Sequence, residues 1–328
     1  MPLIRDHLPG VDLAHLSLGT APTPVGPLAD GLVRGAEVWV KDEGRFGDGA
    51  WGGNKVRKLE WILGEARRRG TRTLFTVGGI GTHWGLAAAL YGREHGLRTM
   101  LGLVDQPVDD HVREQLARLE ASGADLHRYR DTRRLKLAAP GLIASAALRD
   151  RKLPWYLPAG GSNEFGALAY VDTALEIAAQ VHAGELPEPA TVVTAVGSGG
   201  TAAGLALGLR LAGLRTRVLG VVVNDMFPLT APVIVRLANR TADLLRERGA
   251  VLDLPPLVPE DVTMRADWLG TTYGDPTPAS TTAVADAATR GLTLEPVYTG
   301  KALAAVRDLV GTVTLPEPVL WLNTHGPR

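Results

Sequence analysis

In the run Gly52-Gly53-Asn54-Lys55-Val56-Arg57-Lys58-Leu59-Glu60 a lysine stands at the mouth of an expected helix, just after two glycines that let the backbone turn tightly. Lysine is an unfavourable residue there, because the positive end of the helix dipole repels a cation. The same repulsion, helped by burial, would strip the ammonium of its proton. What remains is a nucleophilic amine of the kind that forms Schiff bases with carbonyl compounds. A surface loop leading into an amphipathic helix accounts for the same residues. On this stretch alone both readings stay open.

Other stretches offer other chemistry. Gly197-Ser198-Gly199-Gly200-Thr201 follows an expected strand and opens an expected helix. Backbone amides at a helix N-terminus, with two hydroxyls beside them, make a phosphate cradle; a ligand-free strand-to-helix turn would read the same way. No Gly-Lys-Ser/Thr follows at P-loop spacing, and the last glycine of a dinucleotide fingerprint is missing. A second turn, Gly79-Ile80-Gly81-Thr82-His83-Trp84-Gly85, brings a hydroxyl and an imidazole to a helix start. It suits a substrate carboxylate, or simply a capped helix with a structural threonine. The eight histidines are scattered, without His-Glu-x-x-His or other paired spacing, so no metal site is expected. Ser198 is one residue out of register for the Gly-x-Ser-x-Gly elbow of serine hydrolases. The absence of cysteine excludes thiolate nucleophiles, disulfides and cysteine-ligated metals.

The elements that must position these residues alternate. Short strand patterns at 37–42, 73–77, 98–104, 125–129, 190–196, 218–223 and 319–322 are separated by helical ones. Helices are expected from Val56 to a stop at Gly70, then over 84–95, 111–122, 166–183, 200–212, 231–249, 277–291 and 301–310. A further helix over 135–151 carries a proline interruption at Pro140, and residues 1–36 read as an extended lead-in. This rhythm predicts an α/β fold with largely parallel sheets. With 35 basic against 35 acidic residues, no excess field exists to attract nucleic acid or a membrane surface. No apolar run approaches the ~20 residues that span a bilayer, and residues 1–10 lack the apolar core of a signal peptide, so a cytoplasmic protein is expected.

Taken together, the motifs are ordered as in a known family. The Gly52–Glu60 run resembles the lysine motif of fold type II pyridoxal-phosphate enzymes, in the D-cysteine desulfhydrase and 1-aminocyclopropane-1-carboxylate deaminase branch. Pro158-Ala159-Gly160-Gly161-Ser162-Asn163 followed by Gly166-Ala167-Leu168 is similar to the same branch. So are Gly197-Ser198-Gly199-Gly200-Thr201, Tyr273-Gly274-Asp275-Pro276-Thr277 and Pro296-Val297-Tyr298-Thr299-Gly300-Lys301. The resemblance implies two open, mostly parallel twisted sheets flanked by helices. It implies a large domain of residues 1–62 and 162–328 and a smaller inserted α/β domain of residues 63–161. It also implies pyridoxal 5'-phosphate as cofactor and a homodimer.

By that resemblance Lys55 is the Schiff-base lysine and accepts the α-proton, with Asn54 and Lys58 beside the cofactor. Gly197, Ser198, Gly199, Gly200 and Thr201 hold the phosphate, and Thr299 and Thr324 also lie on the cofactor side. Thr82, His83, Trp84, Gly161 and Tyr298 face the substrate, and Tyr273 or Tyr298 relays a proton if its pKa is lowered. Thr299 stands where the deaminase branch has an acidic residue at the pyridine nitrogen. A neutral hydroxyl makes a weaker electron sink, which suits elimination better than ring opening. The sequence departs from the family at Gly81-Thr82-His83-Trp84, where Gln-Ser-Asn-His or a close variant is usual. His83 then replaces an asparagine, and bulky Trp84 implies a small substrate or one that stacks on it. The chain also ends at Gly326-Pro327-Arg328, where family members continue into another helix. The expected activity is a lyase or deaminase that removes a β-substituent from a small amino acid, giving a 2-oxo acid and ammonia. β-Replacement or racemisation, and a non-catalytic cofactor-binding protein, are the alternatives.

Overall fold

The computed structural model of the protein describes residues 2–49 and 51–326, so Pro327 and Arg328 lie outside the described residues. Helix α1 (Leu3–His7) and strands β1 (Val25–Pro27) and β2 (Val38–Asp42) precede helix α2 (Asn54–Arg68). Then follow β3 (Thr73–Gly79), α3 (His83–Glu94), β4 (Arg98–Val104), α4 (Asp110–Ala121), β5 (Asp125–Tyr129), α5 (Thr132–Asp150) and β6 (Trp155–Leu157). The chain continues through α6 (Glu164–His182), β7 (Thr191–Val196), α7 (Gly200–Leu211), β8 (Arg217–Val222), α8 (Ala231–Glu247) and β9 (Val262–Arg265). It closes with α9 (Pro278–Ala288), α10 (Thr299–Leu309) and β10 (Val319–Asn323).

The strands form two sheets, as expected of the α/β class. One has the order β1-β2-β10-β7-β8-β9 and the other β5-β4-β3-β6. Every pairing is parallel except β1 against β2. Central strands of the larger sheet are buried on both faces. In β10, Leu320 and Leu322 enter one apolar cluster while Val319 and Trp321 enter another on the opposite side. Both layers of helices are thereby anchored through the same strands. The chain runs outward from β7 to β8 and β9 on one side, and β10 and β2 lie on the other. The carboxyl ends of β7 and β10 therefore flank a topological switch point, where open α/β sheets bind ligands.

Several elements differ from the sequence reading, the first being α1, a short helix within the expected extended lead-in. β1, read as part of an extended lead-in, pairs Val25 with Lys41 at the sheet edge. β9 adds a further strand at the other edge. Helix α5 is continuous from Thr132 through Pro140 to Asp150 rather than interrupted at the proline. It is held at its start by the Asp131 carboxylate, which accepts the Arg134 amide at 2.8 Å. Its Leu135 side chain fits against Gly102 of β4, where any Cβ would lie 2.5 Å from it.

A buried group of charges fixes α2. Arg57 forms ion pairs with Glu43 at 2.6 Å and with Glu176 of α6 at 3.0 Å. Lys41 of β2 reaches the same Glu176 at 2.5 Å and Gln180 at 2.7 Å. The Thr23 hydroxyl donates to Glu43 at 2.6 Å. Two cations thus face two carboxylates with water excluded. Replacing Arg57 by Ala would leave negative charge uncompensated in the interior. The expected cost is ~3–5 kcal/mol of stability, read from urea unfolding of the cofactor-loaded protein. A loss below about 1 kcal/mol would place the cluster among solvent-screened surface pairs instead.

Candidate active site

Lys55 is the second residue of α2. No acidic residue lies in that helix's first turn, and the Gly53 cap supplies no side-chain hydrogen bond. The amine donates to Asn54 Oδ1 at 2.8 Å and lies 5.8 Å from the Tyr298 ring centroid. Loss of hydration between the cleft walls pushes its ammonium down to about 8, and the Glu295 carboxylate pulls part of the way back. One turn further, Lys58 is buried, and its amine donates to the Gly160 carbonyl at 3.1 Å and to Ser162 Oγ at 3.4 Å. Burial, then the charge of Lys55, lower its pKa well below the ordinary lysine value.

The turn between β7 and α7 lies against this pair. Gly199 takes the left-handed backbone at φ 90°, and α7 begins without a side-chain cap. First-turn amides of a helix lack intrahelical partners, so this end presents donors to the cleft. Ser162 bridges to it: its Oγ accepts the Gly200 amide at 3.0 Å and lies 2.7 Å from Ser198 Oγ. Asn224 donates to the Gly197 carbonyl at 2.8 Å and so turns that loop toward the cleft. No room remains for a side chain at Gly197, where a Cβ would sit 2.6 Å from the Tyr298 ring.

On the facing wall the Tyr273 and Tyr298 hydroxyls are 2.6 Å apart and their rings meet edge to face. Burial raises both pKa values, so the phenols keep their protons; the lowered pKa that proton relay as a base would need is not observed. Asp225, which accepts the Tyr273 amide at 3.0 Å and the Thr272 hydroxyl, holds Tyr273 in place. Glu295 was absent from the sequence reading. Its carboxylate accepts the amides of Val297, Tyr298 and Thr299 at 2.7–2.9 Å and the Thr299 hydroxyl at 3.2 Å. Thr299 is thus a neutral group backed by a negative one. An acidic residue six positions before the expected helix start was the available signal, and the observed helix begins two residues earlier, at Thr299. Thr324 joins the rim, its carbonyl facing the Asn54 amide at 3.5 Å.

Of the residues expected on the substrate side, Thr82 caps α3 by accepting the Gly85 amide at 3.1 Å. His83 packs edge-on against Trp51 with ring centroids 5.3 Å apart. Trp84 turns inward: it is buried, and its indole N–H donates to Thr76 Oγ1 at 2.8 Å. Its ring lies under Gly161, at φ 62°, where a Cβ would approach within 2.5 Å. That arrangement leaves almost no ring surface for a ligand to stack on. Lys55, Lys58, Ser198, Thr82 and Tyr298 line one cleft of about 1000 Å3, and Gly161 and Gly200, also expected at the site, stay outside its lining.

The depressed pKa of Lys55 can be read directly. Reductive labelling of the cofactor-free protein with an aldehyde should show a Lys55 rate that rises through pH 8 and levels off. An ordinary lysine, at ~10.4, is still climbing there. In Glu295→Gln the midpoint moves lower, because the charge that retains the proton is gone. A midpoint at the ordinary lysine value would show that the cleft is too wet to neutralise the amine.

A family model described as "Pyridoxal-phosphate dependent enzyme" matches residues 16–324. The D-cysteine desulfhydrase of Klebsiella pneumoniae (strain 342) is 32% identical over 322 residues, covering 95% of this chain and 94% of that protein. A D-cysteine desulfhydrase from Yersinia enterocolitica is 33% identical over 299 residues, with 89% and 87% covered. A crystal structure described as that of an ACC deaminase homologue superposes with a TM-score of 0.82 at 29% identity, covering 99% of this chain and 95% of the other. O-Ureido-L-serine synthase, at 18% identity and a TM-score of 0.62 with 94% of this chain and 90% of the other covered, shares the fold alone. The cleft fits the cofactor that the family is named for. A desolvated amine can condense with its aldehyde, and glycine-bounded amides beside Lys58 and Ser162 suit its phosphate. The chain belongs to the family of pyridoxal-phosphate dependent enzymes.

Proposed function

We propose that the enzyme eliminates a β-substituent from a small amino acid, giving ammonia and a 2-oxo acid, as the names of its desulfhydrase relatives suggest. The observation that carries this reading is the pairing of an amine at Lys55, whose pKa falls to about 8, with two protonated phenols across the same cleft. Bound pyridoxal phosphate supplies an electron sink for the pair released at the substrate's α-carbon. Lys55 takes the α-proton, for which an amine with a pKa of about 8 is well matched near neutrality. Tyr298, hydrogen-bonded to Tyr273, gives a proton to the departing group, whose bond to the β-carbon breaks with its electron pair. The enamine released then hydrolyses in water.

The amides and hydroxyls of residues 197–201, with Lys58 and Ser162, orient the phosphate. Asn54, His83 and Thr299, the last backed by Glu295, would hold the cofactor ring. Thr82 keeps its hydroxyl proton free to donate to a substrate carboxylate while its oxygen caps α3. Residues 63–161 form the smaller domain in this reading, and the remainder the larger. A cytoplasmic homodimer completes it. Small-molecule partners accord with the even charge balance, and among the described residues no helix is long and apolar enough to cross a membrane.

Incubation with D- and L-cysteine and with β-chloroalanine should yield 2-oxo acid and ammonia in equal amounts from at least one of them. Lys55→Ala should remove the activity, and Tyr298→Phe should lower kcat by ~10²-fold or more. Adducts with added thiol in place of the 2-oxo acid would establish replacement. Exchange of the α-hydrogen without product would establish a racemase.

A further inference from the structure

The cleft extends beneath α5 into a chamber that a small amino acid would leave empty. Thr132, Leu135, Lys136, Ala139 and Ile143 of α5 line it. Their spacing is that of a single helix face. Opposite them stand Phe75 and Val77, which alternate along β3 and so share the sheet face that α5 covers. Only Phe75, Met100 and Ala146 are fully buried in the small cluster that seats α5. Val77, Ala139 and Ile143 are partly covered. Leu135 near the start of the helix and Ala146 near its end are buried against the sheet, and Ala139 and Ile143 between them are only partly covered.

That space is continuous with the site. Gly79, Gly81 and Thr82 line the same cleft, and Gln106 accepts the Gly81 amide at 3.3 Å where the two parts meet. A cleft of about 1000 Å3 is at the upper limit of the ~300–1,000 Å3 usual for ligand pockets. Water held against Phe75, Val77, Ala139 and Ile143 finds few partners there, so an apolar group that displaces it gains about fourfold in affinity per buried methylene.

We propose that the chamber between β3 and α5 receives the leaving group, and that the substrates include β-substituted amino acids carrying an alkyl- or arylthio group. The proposal rests on the elimination reading for its chemistry. The carbon–sulfur bond breaks, the thiolate leaves with the electron pair and takes up a proton, and no oxidant or reductant is needed.

Two measurements separate the chamber from the reaction. Binding to the cofactor-loaded enzyme is followed by calorimetry for both enantiomers of alanine, norvaline and homophenylalanine, which carry no leaving group. Homophenylalanine should bind at least about tenfold tighter than alanine in one enantiomeric series. In Ala139→Trp, which fills the chamber, that ratio should fall to about threefold or less. Ile143→Phe is the second variant should the first fail to fold. A flat series in the wild type overturns the proposal, as does a ratio unchanged by either substitution. Turnover of cysteine and S-benzylcysteine is measured in parallel. Turnover of cysteine with a flat binding series sinks the chamber alone. A preserved series without turnover of either compound sinks the elimination reading and leaves the chamber as an apolar subsite.

Discussion

Everything at the site depends on how α2 is turned, and that is set by charges on its far side. Arg57 follows Lys55 by two residues, which is about 200° around a helix. When Arg57 is drawn into the carboxylates of Glu43 and Glu176, Lys55 and Lys58 must face the cleft. Lys41 completes the group from β2. The cluster therefore ties a strand, the lysine-bearing helix and α6 in one arrangement. Buried ion pairs are costly to desolvate and often add little net stability. Their value here lies in orientation, since an apolar replacement would permit several rotations of α2 and this network permits one. Glu60 adds to it by accepting the Leu18 amide at 2.8 Å, which fastens the lead-in segment to the same helix.

Several helix N-termini bound the cleft, and the protein treats each differently. At α10 the amides are taken by Glu295, which cancels the positive end of that dipole. At α3 the Thr82 hydroxyl satisfies an amide. At α2 the dipole is left without an acidic residue in the first turn, which favours loss of the Lys55 proton. α7 begins on glycine without a cap from its own N-cap residue, and Ser162 Oγ, from outside the helix, accepts the Gly200 amide. An anion is thereby directed to one place, and a neutral amine to another. The same element of physics, the first-turn amide, is partly met by Ser162 at α7, is a filled socket at α10 and favours a neutral amine at α2.

Much of this was legible in the sequence because it is local. Parallel strands buried on both faces read as apolar runs, and β4 and β5 have the expected bounds. Glycine turns after strands marked the cradle. What was missed depends on distant partners. β1 and β9 are three and four residues long and owe their existence to a neighbour across the sheet edge. Pro140 was read as a break because it lacks an amide and crowds the preceding turn. Packing of Leu135 on Gly102 and of Ala146 in the small cluster carries the helix across it. Arg57 and Glu43 were unremarkable as letters, since their pairing is formed only by folding. At Tyr273 burial outweighs the lowering effect of its hydrogen bond with Tyr298, and at Tyr298 burial and the neighbouring Tyr273 both push the pKa upward.

Trp84 shows how a departure from a family pattern changes meaning once its contacts are known. Read along the chain, it stands beside Thr82 and His83 and looks like a wall for substrate. In the fold its N–H is fixed to Thr76, whose own hydroxyl donates to the Leu157 carbonyl at 2.8 Å. The ring then supports Gly161 from below, at a backbone angle and a separation that only glycine accommodates. Ser162, the next residue, bridges to Ser198 and the Gly200 amide. A continuous path of contacts thus runs from the smaller sheet through Trp84 to the cradle at α7. The large side chain acts as a wedge beneath the loop that carries Ser162. Its size governs where the amides at the start of α7 stand relative to Lys58, and Phe75, Ala139 and Ile143 line the cleft on the other face of β3.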